Sequence, residues 1–162
     1  MIYLLDTNAI SDLMRAAPAV EDWLSTLDPE DRVITCTIVR GEILFGIARL
    51  AESKRRLDLQ QKVLGLFAAI PCEPVPETAA ESYAAIKLAR QRAGLTLDEN
   101  DLWVAATALA LRATLVSRDN DYRAASEAAN VTFFFPARSS ITICPFSIRT
   151  SSTLSNPSGI RA

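Results

Sequence analysis

The sequence predicts an α/β fold in which helices flank a central, mainly parallel β-sheet. Short apolar runs, typical of buried strands, alternate with longer segments of helical periodicity. Acidic residues directly follow two of these runs. Hydrophobic residues make up 49% of the 162-residue chain, which is enough to form a core for one domain. We therefore expect three layers, helix, sheet and helix, with polar groups gathered at one edge of the sheet.

The first half of the chain predicts two strands and three helices. Residues 1–5 form an apolar strand whose carboxyl end leads through Asp6 into a helical turn. Pro18 marks the start of an amphipathic helix that ends before Asp28 and Pro29. Thr37 is a suitable N-cap for the helix that contains Glu42. The remaining elements are a strand at 33–35, that helix at 38–50 and a helix at 53–70.

The second half continues the alternation after a proline-rich break at Pro71, Pro74 and Pro76. Gly94 is placed to end a helix, and Thr96 with Glu99 has the spacing of a capping box for the next one. The predicted elements are helices at 77–93, 102–111 and 122–129 and strands at 114–117 and 131–135. The alanine-rich helix at 102–111 is apolar nearly all round, so we expect it to be central and buried.

Residues 136–162 differ in composition from the rest and predict an appendage to a domain at 1–135. They are rich in serine, threonine and proline and contain arginines but no acidic residue. The apolar stretch at 141–148 predicts either an added edge strand or a poorly ordered segment, because Pro145 lies within it. An extension of the domain and an altered reading frame both fit this composition.

The residues that are absent limit the chemistry. The chain has no histidine, so the commonest general base and the commonest transition-metal ligand are missing. Cys36, Cys72 and Cys144 are widely separated and predict buried thiols, not a disulfide framework or a zinc site. The apolar start without a basic leader, and the lack of a long apolar segment, predict a cytoplasmic protein with no membrane partner.

Four acidic residues carry the functional prediction: Asp6, Glu42, Asp101 and Asp119. Singly, each has another interpretation, since an aspartate after a strand is often a turn or cap residue and Asp101 also suits the positive end of a helix dipole. Glu42 has apolar neighbours one turn away and would need a tertiary partner if buried. Together, four converging carboxylates would repel one another unless a cation offset their charge. Oxygen ligands of this kind favour Mg²⁺ or Mn²⁺.

Four segments carry a resemblance to a known family. LLDTNAIS, VRGEILFGI, ENDLWVAATAL and LVSRDNDY resemble, in order and spacing, the signature regions of the PIN-domain family, particularly the VapC-like toxins of type II toxin–antitoxin systems. The resemblance covers residues 1–135 and implies a PIN-like fold and a Mg²⁺- or Mn²⁺-dependent endoribonuclease. It implies that the four acids are the metal ligands and catalytic residues, and that Thr7, Asn8 and Ser117 are polar supports around them.

The resemblance also implies partners. These are an RNA substrate and a VapB-like antitoxin whose carboxyl-terminal segment would cover the acidic groove. A homodimer is expected as well, with Leu44, Phe45 and Ile47 as interface candidates unless they pack in the core. Operator DNA would be contacted only through the antitoxin. Residues 1–135 have a formal charge of −5, so RNA would have to be held by local arginines and the metal.

Several residues near the motifs have two interpretations each. Asp98 and Asp121 are either helix caps or ligands of a second metal ion. Arg118 either contacts the scissile phosphate or forms a salt bridge with an acid. Arg40, together with the basic turn at residues 54–56, either contacts RNA elsewhere or belongs to a solvated helix face.

Two other functions compete with the nuclease. A PIN-like module that binds antitoxin and operator DNA without turnover is disfavoured because all four acids are intact. A phosphatase of the HAD type would use Asp6 as nucleophile, but that chemistry needs a second aspartate two residues later, where Asn8 stands.

Overall fold

A computed structural model describes residues 1–95, 98–119 and 122, together with the backbone of residues 133–134. Within these residues the chain forms a five-stranded parallel sheet flanked by six helices. The strands are β1 Ile2–Leu5, β2 Arg32–Cys36, β3 Cys72–Glu73, β4 Thr114–Val116 and β5 Phe133–Phe134. The helices are α1 Thr7–Met14, α2 Pro18–Ser25, α3 Thr37–Ala48, α4 Lys54–Ala69, α5 Ala79–Arg92 and α6 Glu99–Ala110. The predicted fold class is confirmed.

The order of the strands determines where a site can form. The sheet runs β3-β2-β1-β4-β5, so the chain builds outward from β1 on one side and later returns to add β4 on the other. A crevice opens at such a reversal, outside the carboxyl ends of the two central strands. Asp6 follows β1 and Ser117 follows β4, and the Asp6 amide donates to the Val116 carbonyl at 3.1 Å. The sequence therefore places polar residues on both sides of this crevice.

The core lies around the central strands and α6. Leu4, Leu5, Leu115 and Val116 are fully buried on β1 and β4, as expected for strands of a covered parallel sheet. The α6 helix buries Leu102 and a run of small residues from Val104 to Ala108, so the prediction of a central buried helix is confirmed. Small side chains allow the helix to approach its neighbours closely. None of the helices in the described part of the chain is long and apolar enough to cross a membrane.

The proline-rich break contains a strand that the sequence analysis did not predict. Cys72–Glu73 pairs in parallel with Thr35 and Cys36 at the edge of the sheet, and the Thr35 amide donates to the Pro71 carbonyl at 2.9 Å. An edge position explains how a strand tolerates flanking prolines, because only one side needs backbone donors. The two-residue length of β3 left no periodicity to recognise.

Several helix boundaries differ from the predicted ones. Cys36 occupies the N-cap of α3, and Thr37 is the first helical residue, so the predicted Thr37 cap is wrong. Helix α5 begins at Ala79, two residues later than predicted. Gly94 follows α5 with φ at +68°, a conformation that favours glycine, as predicted. Asp98 caps α6 by accepting from the Asn100 amide at 2.9 Å, whereas Thr96 lies outside the described residues.

The structure decides between the two interpretations of the apolar residues on α3. Ile47 is 6% exposed and packs in the core, so it is not an interface residue. Leu44 and Phe45 are 42% and 64% exposed, so they remain candidates for an interface.

Of the predicted elements near the carboxyl end, the structure describes three residues. Tyr122 is helical, and Phe133–Phe134 pairs in parallel with β4, which agrees with the strand predicted at 131–135. Asp121, the rest of the predicted helix at 122–129 and the extension at 136–162 lie outside the described residues.

Candidate functional site

Asp6 occupies two roles at the crevice. As N-cap of α1 it accepts a hydrogen bond from the Ala9 amide at 2.7 Å, which is the local role that the sequence left open. Its other carboxylate oxygen accepts from the Ser117 hydroxyl, which β4 places beside it. Asp6 is 3% exposed, and this burial raises its pKa from 3.8 to about 6 despite the lowering effect of both hydrogen bonds. A buried carboxylate of this kind is poised to accept a cation.

Glu42 is anchored from both sides of the crevice. The Thr7 hydroxyl, on α1, donates to Oε2, and the Asn100 side-chain amide, on α6, donates to Oε1 at 2.8 Å. The partners of Glu42 are thus two neutral donors, the Thr7 hydroxyl and the Asn100 amide. Both carboxylate oxygens of Glu42 are therefore oriented by side chains from neighbouring helices.

Asp101 is held by a tyrosine. It lies in the first turn of α6, half-buried, and its Oδ1 accepts from the Tyr122 hydroxyl at 2.8 Å. Burial raises the pKa of Asp101, and the charges of Glu42, Asp119 and Asp98 raise it further. Tyr122 is 1% exposed, and burial followed by the charges of Asp101, Asp6 and Glu42 raises its own pKa well above the ordinary value. The hydroxyl therefore stays protonated as a donor.

Asp119 completes the set through Ser117. Its backbone amide donates to the Ser117 hydroxyl at 2.9 Å, and that hydroxyl in turn donates to Asp6. Ser117 is fully buried, so this short chain of hydrogen bonds ties the loop after β4 to the end of β1. Asp119 is half-buried beside it.

The structure therefore brings all four predicted acids to one end of the sheet, within range of each other's charge. Thr7 and Ser117 contact them as predicted supports, whereas the exposed Asn8 makes no side-chain hydrogen bond to an acid among the described residues. Asn100 and Tyr122 were not singled out from the sequence. Each stands in or beside a recognised motif, Asn100 directly before Asp101, but nothing in the sequence shows that its side chain turns toward an acid.

The donor chemistry of this cluster fits a hard divalent cation. The charge of Asp101 raises the pKa of Asp6, and the charges of Glu42 and Asp119 raise the pKa of Asp101, so positive charge placed among them would relieve repulsion. Each carboxylate oxygen that accepts one hydrogen bond keeps a further lone pair. In the part of the chain that the structure describes, no three acidic or cysteine side chains are grouped closely enough to enclose an ion.

Three further residues that the sequence singled out make contacts outside the set of four acids. Asp98 is an exposed N-cap of α6, and its charge raises the pKa of Asp101. Arg118 forms its salt bridge with Asp12, which is none of the four acids. The Arg40 guanidinium lies over the Phe67 ring at 4.9 Å, in a cation–π contact on the helical surface.

Comparison with known proteins places this arrangement in a family. The PIN domain model matches residues 3–128. Toxin FitB from Neisseria gonorrhoeae is 35% identical over 122 residues, which cover 72% of this chain and 86% of that protein. Ribonuclease VapC1 from Haemophilus influenzae is 30% identical over 123 residues, covering 74% of this chain and 87% of the relative.

One solved structure is similar to this chain over most of its length. A member of the VapBC family of toxin–antitoxin systems from Mycobacterium tuberculosis, VapBC-5, superposes with a TM-score of 0.65 at 25% identity. The match covers 82% of this chain and 96% of the other. The similarity therefore spans nearly the whole of each relative.

Proposed function

The chain belongs to the PIN-domain family, and on that premise we propose that it is a toxin of a toxin–antitoxin pair that hydrolyses RNA with Mg²⁺ or Mn²⁺. The observation that carries this proposal is the meeting of Asp6, Glu42, Asp101 and Asp119 at the crevice between β1 and β4. Relatives named ribonuclease and toxin support the reaction and the biological role.

The four acids would hold the cation. When bound there, it lowers the pKa of a water molecule and stabilises negative charge on the oxygen that leaves the phosphodiester. Thr7 and Asn100 fix the orientation of Glu42, and Ser117 fixes that of Asp6. Because the chain has no histidine, proton transfer must use carboxylates and water. Asp98 serves in this proposal as the N-cap of α6 and not as a ligand of the ion.

The proposed protein partner is an antitoxin. The structure of VapBC-5 comes from a family of toxin–antitoxin systems, and its similarity covers most of this chain. An antitoxin segment that reached the crevice would meet an acidic surface, so a basic side chain on that segment would be favoured. We also propose a homodimer in which the exposed Leu44 and Phe45 of α3 contribute apolar area.

Cleavage of a mixed RNA pool by the purified protein tests this function. With Mg²⁺ or Mn²⁺ we expect discrete cuts whose ends identify the target, and with EDTA we expect none. Cutting that continues in EDTA would contradict the mechanism. No cutting by well-folded protein with either metal would contradict the nuclease and favour a module that only binds antitoxin and operator DNA.

Substituting phenylalanine for Tyr122 tests the support of Asp101. The change removes only the hydroxyl that donates to Asp101, so the buried ring keeps its packing. We expect cleavage to fall about 10- to 100-fold, the usual cost of losing a group that orients a metal ligand. Mn²⁺ affinity should weaken in parallel when measured by calorimetry.

The outcomes of this substitution are distinct. Tyr83→Phe is the matched control, because its hydroxyl is exposed and bonds Glu99 and Lys87 away from the four acids. Equal Mn²⁺ affinity in the wild type and Tyr122→Phe would show that the tyrosine is merely structural.

A further inference from the structure

Asp12 organises a second charged cluster beside the acids. It lies on α1, 4% exposed, and its two oxygens accept from different arginines. Oδ1 accepts from Arg15 Nη2 at 2.7 Å, and Oδ2 accepts from Arg118 Nε at 2.5 Å. A buried carboxylate needs a cationic or hydrogen-bonding partner, but one arginine would suffice to neutralise it. The second arginine gives the cluster a net positive charge.

The two guanidinium groups keep donors that face solvent. The Arg15 side chain is 64% exposed and that of Arg118 is 49% exposed. Each guanidinium has five N–H donors, and the contact with Asp12 uses one nitrogen of each. Within the described residues, Asp12 is the acceptor that these guanidinium groups contact. Because they share one carboxylate, they are also held close to each other.

The cluster adjoins the acidic crevice without being part of it. Arg118 lies between Ser117 and Asp119, both of which belong to the crevice. Asp12 follows Asp6 by six residues on α1, which corresponds to about 9 Å along a helix axis. An anion on the exposed side of the two arginines would therefore lie beside the reacting position and not on it.

The charge of the protein indicates what that anion is. An RNA strand that approaches the four acids is repelled, and residues 1–135 carry a formal charge of −5. A local positive group is needed where the strand enters or leaves. Guanidinium groups match phosphate oxygens in geometry and can bind them in a bidentate manner.

We propose that Arg15 and Arg118, held together by Asp12, form a subsite for a backbone phosphate of the RNA next to the nucleotide that is cut. This subsite rests on the proposed nuclease function and specifies how the substrate is held. It assigns Arg118 to a flanking phosphate, since its Nε is committed to Asp12 on the side of α1.

Binding without turnover tests the subsite. A labelled single-stranded RNA of ten nucleotides, in EDTA, is titrated with wild type, Arg15→Gln, Arg118→Gln and the control Arg92→Gln, and anisotropy is followed between 50 and 200 mM salt. Arg92 is exposed in the last turn of α5, so its variant makes the same charge change on a helix that carries no part of the cluster. Thermal unfolding verifies that each variant is folded.

Each outcome decides the proposal. We expect Arg15→Gln and Arg118→Gln to weaken RNA binding about 5- to 10-fold and to lower the salt slope by roughly 0.7 each, whereas Arg92→Gln stays near wild type. Equal affinities for the three variants, or no RNA binding by wild type, would overturn the subsite. Greater loss on a DNA duplex than on RNA would also overturn it, in favour of a DNA contact.

Failure of the subsite can be distinguished from failure of the nuclease proposal. Wild-type protein that cuts RNA with Mn²⁺, while the Arg15 and Arg118 variants bind RNA as Arg92→Gln does, would remove the subsite and leave the reaction intact. Arg15 and Arg118 variants that bind more weakly than the Arg92→Gln control, in a protein that never cuts RNA, would establish RNA binding without the proposed reaction.

Discussion

Asp6→Asn is expected to stabilise the metal-free protein at pH 7 to 8 by on the order of 2–3 kcal/mol. Burial of Asp6 raises its pKa to about 6, from 3.8 when exposed, so the folded state holds its proton more tightly than the unfolded state. Well below pH 3.8 the group is protonated in both states and costs nothing. As the pH rises to about 6 the unfolded state gains by releasing the proton, and the wild type loses stability. Asparagine carries no such penalty.

The hydrogen bonds around Asp6 can be kept when asparagine replaces it. The asparagine oxygen still accepts from the Ala9 amide, and the Ser117 hydroxyl can rotate to accept from the new amide group. Chemical denaturation between pH 4 and 8 measures the difference between the two proteins. We expect it to grow through the interval from pH 4 to 6 and to level off above it.

Asp98→Asn is the control for Asp6→Asn. Asp98 is an exposed N-cap, and asparagine caps a helix as well as aspartate does, so its variant should stay within about 0.5 kcal/mol of wild type. Mn²⁺ should stabilise the wild type more than Asp6→Asn, because binding to the folded state draws on the intact cluster. If Asp6→Asn were less stable than the wild type at pH 8, ionised Asp6 would not destabilise the folded protein, and this account of its burial would be contradicted.

Asp101→Asn is expected to reduce RNA cleavage about a thousandfold or more. The charges of Glu42, Asp119 and Asp98 raise the pKa of Asp101, so three other acids lie close enough to share a cation with it. Losing one cation ligand forfeits several kcal/mol of stabilisation of the developing charge, and each 1.4 kcal/mol is tenfold in rate. Single-turnover cleavage at saturating Mn²⁺ measures the loss.

Asp98→Asn is again the matched control, because it makes the same change three residues earlier at the start of the same helix. We expect its cleavage rate to stay within a few-fold of wild type. If the Asp98 and Asp101 variants lost activity equally, Asp98 would be a ligand and the assignment of the cluster would have to be redrawn.

The fold was largely predictable because its signals are local. Apolar runs at β1 and β4 are short, flanked by polar turns, and buried on both faces, so the pattern predicts strands without knowledge of their partners. Strand β3 escaped prediction because two residues carry no period, and its existence depends on pairing with β2. The sequence left open whether Ile47 packs in the core or at an interface, because nearly all of α3 is apolar and only packing decides which face is covered.

The four acids were predictable from motifs, but their supports were not. Thr7 and Ser117 lie within the motifs that carry Asp6 and Asp119, so they came with them. The contact between Asn100 and Glu42 spans 58 positions, and that between Asp12 and Arg118 spans 106. Such pairs are set by how the helices pack on the sheet and leave no trace in local spacing. The structure was needed to find both.

The central claim is that four acids from separate elements form one cation site, and calorimetric titration of Mn²⁺ tests it most directly. The wild type and the Asp6→Asn, Asp101→Asn and Asp98→Asn variants are titrated at pH 7.5. We predict that the wild type and Asp98→Asn bind Mn²⁺ alike, and that Asp6→Asn and Asp101→Asn bind it at least about tenfold more weakly. Equal binding by all four proteins would contradict the claim.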